Sequence, residues 1–384
     1  MAWSTPVAAK GTKRIRVLHA LGRLNAGGVE TWLVHVLRRI DREKFQLDFL
    51  VSTEEPGSYD EEVRALGGWI VPCPNPHRPW GYARALLRIL ENEGPYDAVH
   101  AHLHHFSGLE LWAAERAGVP LRICQSHLDS AWVDRSAGLA RKSYLALGRA
   151  LIAEHATHLL AVSDDAGRAL YGEAALSDPR YGLIRCGVDF ERFGRVEDRG
   201  LLRRQLGIPM DAKVVGTIGR LAPQKNQAFL LAVMAELIAR DPFYRLVVVG
   251  DGPLRGELKE RAASLGISDH VTWTGARTDV ERLLPTFDAF VFPSLAEGLA
   301  LAPLEAQAMG VPCVYSEAMP KEAGVVEELV HRLPLTAGSS AWAREVEEAI
   351  YAPRPSSAEA LARMRASPFD IDSSTRSLEL LYGG

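Results

Sequence analysis

The stretch Asp288-Ala289-Phe290-Val291-Phe292-Pro293-Ser294-Leu295-Ala296-Glu297-Gly298-Leu299-Ala300-Leu301-Ala302-Pro303-Leu304-Glu305 decides how this chain is read. Its apolar run, closed by Pro and Ser, predicts a buried strand leading into a loop and then a helix. Glu297 falls in the loop, and Glu305 about two turns along the helix. In an open α/β sheet, ligands bind in the crevice outside the carboxyl ends of the strands. Free N–H groups at a helix start suit a phosphate. One carboxylate could then bind hydroxyls near a reacting carbon while the other reaches a different part of the same ligand. The plain alternative is one solvated Glu and one in the first turns of a helix.

Three more strand-to-loop junctions lie upstream. Val214-Val215-Gly216-Thr217-Ile218 runs into Gly219-Arg220, with Lys225 five residues after the Arg and a helix expected near Asn226. Arg offers a planar fork for phosphate oxygens and Lys a flexible point charge, so the pair suits a diphosphate. Both lie in a loop, where truncation is expected to cost little stability. Arg245–Val249 ends in the tight turn Gly250-Asp251-Gly252-Pro253, and Val271–Thr274 leads into Gly275-Ala276-Arg277. Four such junctions in sequence would set these groups along one edge of a parallel sheet.

The order GRLxxxKN, GDGP, TGxRxDV and PSxxEGLxLxxLEAxAxGxPxV resembles the donor half of glycosyltransferase family 4, retaining nucleotide-sugar enzymes of the GT-B fold. The front half agrees: Asn25-Ala26-Gly27-Gly28-Val29-Glu30-Thr31 matches the family's N-terminal glycine loop. Val99-His100-Ala101-His102, Cys124-Gln125-Ser126-His127 and Ile184-Arg185-Cys186-Gly187-Val188-Asp189 match its acceptor-side strand ends and hinge. The likeness covers roughly residues 14 to 382 and is nearest to bacterial exopolysaccharide and capsular-polysaccharide enzymes.

The resemblance implies two Rossmann-like α/β domains facing each other across a cleft. An N-terminal tail of residues 1–13 would precede an acceptor-side domain, 14–190. A donor-binding domain, 191–370, would follow, and the last helix, 371–384, would pack back on the first domain. It also implies roles. Arg220 and Lys225 neutralise the diphosphate, assisted by the backbone around Gly298, Leu299, Ala300 and Leu301. Glu305 binds ribose hydroxyls, Glu297 sugar hydroxyls, and the Gly275–Arg277 loop touches the base. Gly28 lets the first-domain loop approach the diphosphate, where a side chain would collide. His127 reaches the sugar near the reacting carbon. The catalytic candidates are His127, Arg220, Lys225 and Glu297.

In a glycosidase two carboxylates would be an acid and a nucleophile. In this family the leaving phosphate is thought to accept the acceptor's proton on the same face, so retention needs no protein nucleophile. No D-x-D follows a donor-half strand. Asp370-Ile371-Asp372 opens the last helix, where acids are ordinary. No metal or other cofactor is therefore expected. Two positions depart from the family pattern: Cys186 stands where Asn is usual, expected to change only a hinge contact, and Ala300 where Pro is usual.

Composition is compatible. A chain of 384 residues predicts two domains. It is 47% hydrophobic and 24% charged, with net charge −4 and pI near 6.3, which argues against a nucleic-acid partner. Its four scattered cysteines, with no zinc spacing, read as free thiols in a reducing cytosol. No secretory signal or membrane-spanning run is read, so a cytoplasmic enzyme is expected, with a peripheral place on the inner membrane face open. Apolar runs alternating with helical patterns give six strands before residue 163 and five between 214 and 315.

Competing folds fit worse. The first loop, Gly22 to Gly28, lacks the G-x-G-x-x-G spacing of a dinucleotide enzyme, as does Gly250-Asp251-Gly252 with Arg255 at the third position. A periplasmic sugar-binding module would need a secretion signal. A phosphorylase would need a far longer chain, which leaves a nucleotide-sugar epimerase as the alternative. His100, His102, His104 and His105 could line the acceptor cleft, with His102, His104 and His127 as acceptor-side candidates. A metal site would require them to converge, which H-A-H-L-H-H does not ensure. Segment 135–149 carries Arg135, Arg141, Lys142 and Arg149 without an acid, interleaved with Leu139, Tyr144 and Leu147. It could meet an anionic membrane carrying a lipid-linked acceptor, or be an ordinary solvated helix face.

Overall fold

The structure is a computed structural model that describes residues 14–25, 27–73, 76–127, 138–194 and 198–384. The N-terminal tail expected over residues 1–13, and Arg135, lie outside the described residues.

Two parallel sheets organise the chain. The first has the order β3-β2-β1-β4-β5-β6-β7. Its strands are β1 (Ile15–Leu21), β2 (Phe45–Val51), β3 (Ile70–Pro72), β4 (Ala98–Ala101), β5 (Leu121–Ser126), β6 (His158–Ala161) and β7 (Tyr181–Leu183). The second has the order β10-β9-β8-β11-β12-β13. It comprises β8 (Lys213–Ile218), β9 (Tyr244–Val249), β10 (Val271–Gly275), β11 (Ala289–Phe292), β12 (Cys313–Ser316) and β13 (Val330–Leu333). In each, the central strands are apolar on both faces because helices cover both sides; all four residues of β4, β11 and β12 are buried. Two edge strands, β7 and β13, add to those read from the sequence.

Each order reverses direction at its first strand, β1 or β8, which sets the crevice beside the ends of β1 and β4 in one sheet and of β8 and β11 in the other. One buried apolar cluster is continuous from Trp32 and Leu33 through Phe190 and Phe193 to Phe290 and Leu304. Two outer clusters sit under the helices on the far side of each sheet.

The chain crosses between the sheets twice, and the crossings pair. Val188 N–H donates to Phe369 O at 2.8 Å and Ile371 N–H to Val188 O at 3.1 Å. A Cβ on Gly187 would lie 2.7 Å from Ile371 Cα, so only glycine allows that approach. Beyond the crossing, the helix Ile371–Gly383 packs on the helix Gly28–Arg39 and on β1. Trp32 Nε1 donates to Ser374 Oγ at 2.6 Å, and Tyr382 is buried.

Candidate active site

The loops after β8 and β11 are stitched together. The β8 loop closes with a 3-10 turn, Pro223–Lys225, and Asn226, at φ +52°, turns the chain into the helix Gln227–Arg240. Leu295 N–H donates to Gln224 O at 2.8 Å, and Gln224 Nε2 donates to Ala296 O at 2.7 Å. These bonds place Lys225 Nζ 2.6 Å from Glu297 Oε1 and 4.8 Å from the centre of the Phe292 ring. The Glu297 side chain is only 4% exposed. The expectation that Lys225 could be truncated at little cost is thereby corrected, because its loss would leave a buried carboxylate unpaired. Arg220, five residues earlier, is exposed and makes no side-chain hydrogen bond among the described residues.

The helix Leu301–Ala308 begins directly after Ala300, which contributes no side-chain cap, so an anion has access to the positive end of the helix. Glu305 sits in its second turn, 8% exposed. Burial pushes its carboxyl up to about 7, opposed by the field of Arg192. Arg192, unremarked in the sequence, is held by Glu281 at 2.8 Å and by the Thr278 carbonyl at 2.9 Å. The two carboxylates of E-x7-E thus differ: Glu297 is salt-bridged, while Glu305 is raised into the neutral range.

The neighbouring junctions need glycine for close approach. A Cβ on Gly250 would lie 2.0 Å from Gly219 O, and one on Gly252 2.4 Å from Leu221 O. Gly275 adopts φ +74°. The Arg277 fork is taken up by Asp279, at 2.8 and 2.6 Å, so base contact in this loop would come from backbone atoms unless that pair opens.

From the first domain, Gly28 starts its helix with nothing within 4 Å of where a Cβ would stand. Glu30, which follows, folds back until its carboxylate would lie 2.3 Å from a Cβ on Gly27. Burial raises its carboxyl, and Arg220 in the other domain pulls it down, so the two loops share one field. Glu30 belongs to the Asn25–Thr31 motif, where its type and spacing alone assign it no role.

His127, at the end of β5, has both ring nitrogens turned to protein partners. Nε2 meets His102 Nδ1 at 2.8 Å and Nδ1 meets Cys186 Sγ at 3.6 Å. Cys186 therefore bears on the candidate His127, more than a hinge contact. Burial lowers His127 to about 3, so its ring is neutral. The histidine group divides: His104 and His105 bond each other at 2.7 Å, whereas His100 and His102 join His19 of β1. The ligand atoms of that trio lie within 4.8 Å of one another, but the rings are engaged with each other and with Tyr382. All four cysteines are buried and free. Two cavities elsewhere, of about 390 and 470 Å³, are lined by none of these loop residues.

Residues 26–192 match the family described as Glycosyltransferase Family 4, and residues 198–365 match Glycosyl transferases group 1. A Bacillus subtilis (strain 168) protein described as glycosyltransferase EpsF is 38% identical over 88% of this chain and 89% of its own length. The chain belongs to glycosyltransferase family 4. This glycosyltransferase is also 29% identical, over 79% of both chains, to the Escherichia coli UDP-Gal:alpha-D-GlcNAc-diphosphoundecaprenol alpha-1,3-galactosyltransferase. In fold it matches Anabaena Alr3699/HepE, solved with UDP and glucose, with TM-score 0.79 at 19% identity, covering 97% of this chain and 100% of that one. It likewise matches the lipopolysaccharide-biosynthesis glycosyltransferase WaaG, with TM-score 0.71 at 16% identity over 96% and 100%. The two facing parallel sheets are the GT-B fold. The relatives are transferases, and the epimerase alternative finds no support among them.

Proposed function

We propose that this glycosyltransferase moves a sugar from a nucleotide-diphosphate sugar, of UDP or GDP type, to a saccharide or lipid-linked saccharide, with retention. The observation that carries the reading is the Lys225–Glu297 pair at 2.6 Å, with Arg220 beside it and the open Gly28 helix start on the other domain. One ligand fits that set: a diphosphate between Arg220, Lys225 and the two helix starts, with its sugar toward Glu297 and its ribose toward Glu305. One relative named for a UDP sugar and an undecaprenol-linked acceptor, and a fold neighbour solved with UDP and glucose, support the donor and acceptor classes. The sequence resemblance to exopolysaccharide and capsular-polysaccharide enzymes supports a role in exopolysaccharide or cell-surface glycan synthesis.

In the reaction, the bond between the anomeric carbon and the diphosphate oxygen breaks, and the electron pair leaves with the phosphate. Arg220, Lys225 and the Leu299–Leu301 backbone stabilise that charge as it grows. The acceptor oxygen forms the new bond on the face being vacated, and its proton passes to the departing phosphate oxygen. Glu297 holds Lys225 in place and accepts from sugar hydroxyls. His127 stays neutral beside the carbon that gains positive charge, avoiding the repulsion an imidazolium would bring. With cations supplied by side chains, no metal ion is required.

Among the described residues, no helix is long and apolar enough to cross a membrane. The helix Leu139–His155 exposes Leu139, Tyr144 and Leu147 near Arg141 and Lys142, which suits peripheral contact with an anionic inner-face membrane. Arg149 is excluded from that face, since it donates to the Leu170 and Ala169 carbonyls. A thermal-shift screen against UDP-, GDP-, ADP- and dTDP-sugars tests the donor class, because a bound ligand raises the melting temperature by mass action. Stabilisation by UDP- or GDP-sugars supports it, and none by any nucleotide sugar would overturn it.

A further inference from the structure

The helix Gly28–Arg39 starts without a side-chain cap. Its N-cap residue is Gly27, in the extended conformation of an ordinary N-cap but with no side chain to accept from the first turn. The first intrahelical bond runs from Thr31 N–H to Gly27 O at 2.9 Å, so the N–H groups of Gly28, Val29 and Glu30 have no acceptor within the helix.

One of those donors is met by its own residue. Glu30 stands third in the helix, where a capping box carries Glu, and its side chain folds back toward residue 27. Its Oε2 lies 2.3 Å from where a Gly27 Cβ would be, about the spot that the oxygen of a capping Asp or Asn would occupy. The Glu30 N–H donates to this carboxylate, and Arg220 attracts it from the loop after β8, while burial opposes both. A side chain at 27 would push the carboxylate off the helix start, which gives glycine a role at a φ of −115° that does not demand it. Beside Gly28, by contrast, nothing stands within 4 Å of a Cβ. The helix start has room for a ligand, but its cap position already holds an anion of this chain. A diphosphate and a carboxylate seek the same partners there: free N–H groups, the positive end of the helix and the guanidinium across the cleft. Being like charges, they cannot share them without cost.

We infer that the Glu30 carboxylate is an exchangeable internal cap that competes with the nucleoside diphosphate for the helix start and for Arg220, and so sets how tightly the donor and the spent nucleotide are held. The inference rests on the proposed place of the diphosphate between Arg220 and this helix. In the resting enzyme Glu30 caps its own helix and gives Arg220 a counter-charge. When the diphosphate arrives, its oxygens take over the N–H groups and the guanidinium, and the half-buried carboxylate turns out to solvent. After transfer, the return of the carboxylate favours departure of the nucleoside diphosphate, a step that often limits turnover.

The test is calorimetry of UDP and GDP on the intact enzyme. Glu30→Gln keeps an oxygen that can cap the helix and removes the charge. It should bind whichever nucleotide wild type binds about fivefold more tightly, the scale set by one like charge a few ångströms from a phosphate in a wet cleft. The matching nucleoside, without phosphates, should bind both proteins alike. The same nucleotide should become a correspondingly stronger product inhibitor of transfer. Glu43→Gln removes a charge from an exposed turn of the same domain and should leave the affinity unchanged. If Glu30→Gln folds poorly, Glu30→Ala removes the same charge and carries the same expectation. Unchanged or weaker diphosphate binding in the Glu30 variant, an equal gain for the bare nucleoside, or an equal gain in Glu43→Gln would each overturn the inference and leave the donor site standing. Binding of neither nucleotide to either protein would instead sink the donor reading and the inference with it.

Discussion

Lys225 Nζ and Glu297 Oε1, 72 residues apart in sequence, meet at 2.6 Å and join the loop after β8 to the loop after β11. In the proposed function this pair meets a diphosphate on one side and a sugar on the other. Lys225→Ala should therefore lower both turnover and stability, the latter by about 3 kcal/mol, the scale for stranding a buried charge. Arg220→Ala should lower turnover on the order of 10²–10³-fold and leave the melting temperature unchanged. Denaturant melts of the two variants check this, and equal stability would refute the asymmetry.

Glu305 predicts a pH dependence with an unusual sign. Its folded value is raised from 4.5 to about 7, so between those values the folded state holds a proton that the unfolded state has lost. Stability from this group is full below about 4.5 and falls as pH rises to about 7, by up to about 3 kcal/mol. Glu305→Gln should remove that slope and be more stable than wild type at pH 8. Melting curves from pH 5 to 8 measure it; parallel curves for the two proteins would count against a raised carboxyl.

The two carboxylates should divide their labour. Glu305→Ala should weaken binding of the free nucleoside diphosphate and of the intact donor alike. Glu297→Ala should weaken the free nucleotide less than Glu305→Ala does, through the released Lys225 alone, and mainly lower transfer, since a hydroxyl contact serves only ligands that carry the hydroxyl. Each lost bond to a charged group costs roughly 1.5–3 kcal/mol. Calorimetry on both variants decides it, and equal losses for the free nucleotide would end the assignment.

If side-chain cations alone stabilise the leaving group, activity should survive EDTA. Loss on chelation with recovery on adding Mg²⁺ or Mn²⁺ would show that Arg220 and Lys225 do not suffice.

The apolar strands were legible because burial on both faces leaves continuous runs such as Ala289–Phe292. Two edge strands were not: β7 is three residues with a central Gly182, and β13 is four, Val330, His331, Arg332 and Leu333, half of them polar. The strand-end loops were legible as one candidate site because glycine, Arg, Lys and Glu recur at their ends. What those residues touch was hidden, since pairs such as Lys225 with Glu297 or Arg277 with Asp279 depend on side-chain reach. The buried histidine trio was hidden for a related reason. His100 and His102 could be read on one strand, but His19 joins them only through the register of β1 against β4, and Tyr382 only through the last helix returning to the first domain.

Transfer itself tests the central claim most directly: incubate the enzyme with the stabilising nucleotide sugar and a saccharide or lipid-linked acceptor, and determine the anomeric configuration of the product by NMR. The account predicts a new glycosidic bond with the donor's configuration retained, at a rate lowered at least a hundredfold in Arg220→Ala. An inverted product, or a wild-type rate in that variant with a donor that binds, would contradict it.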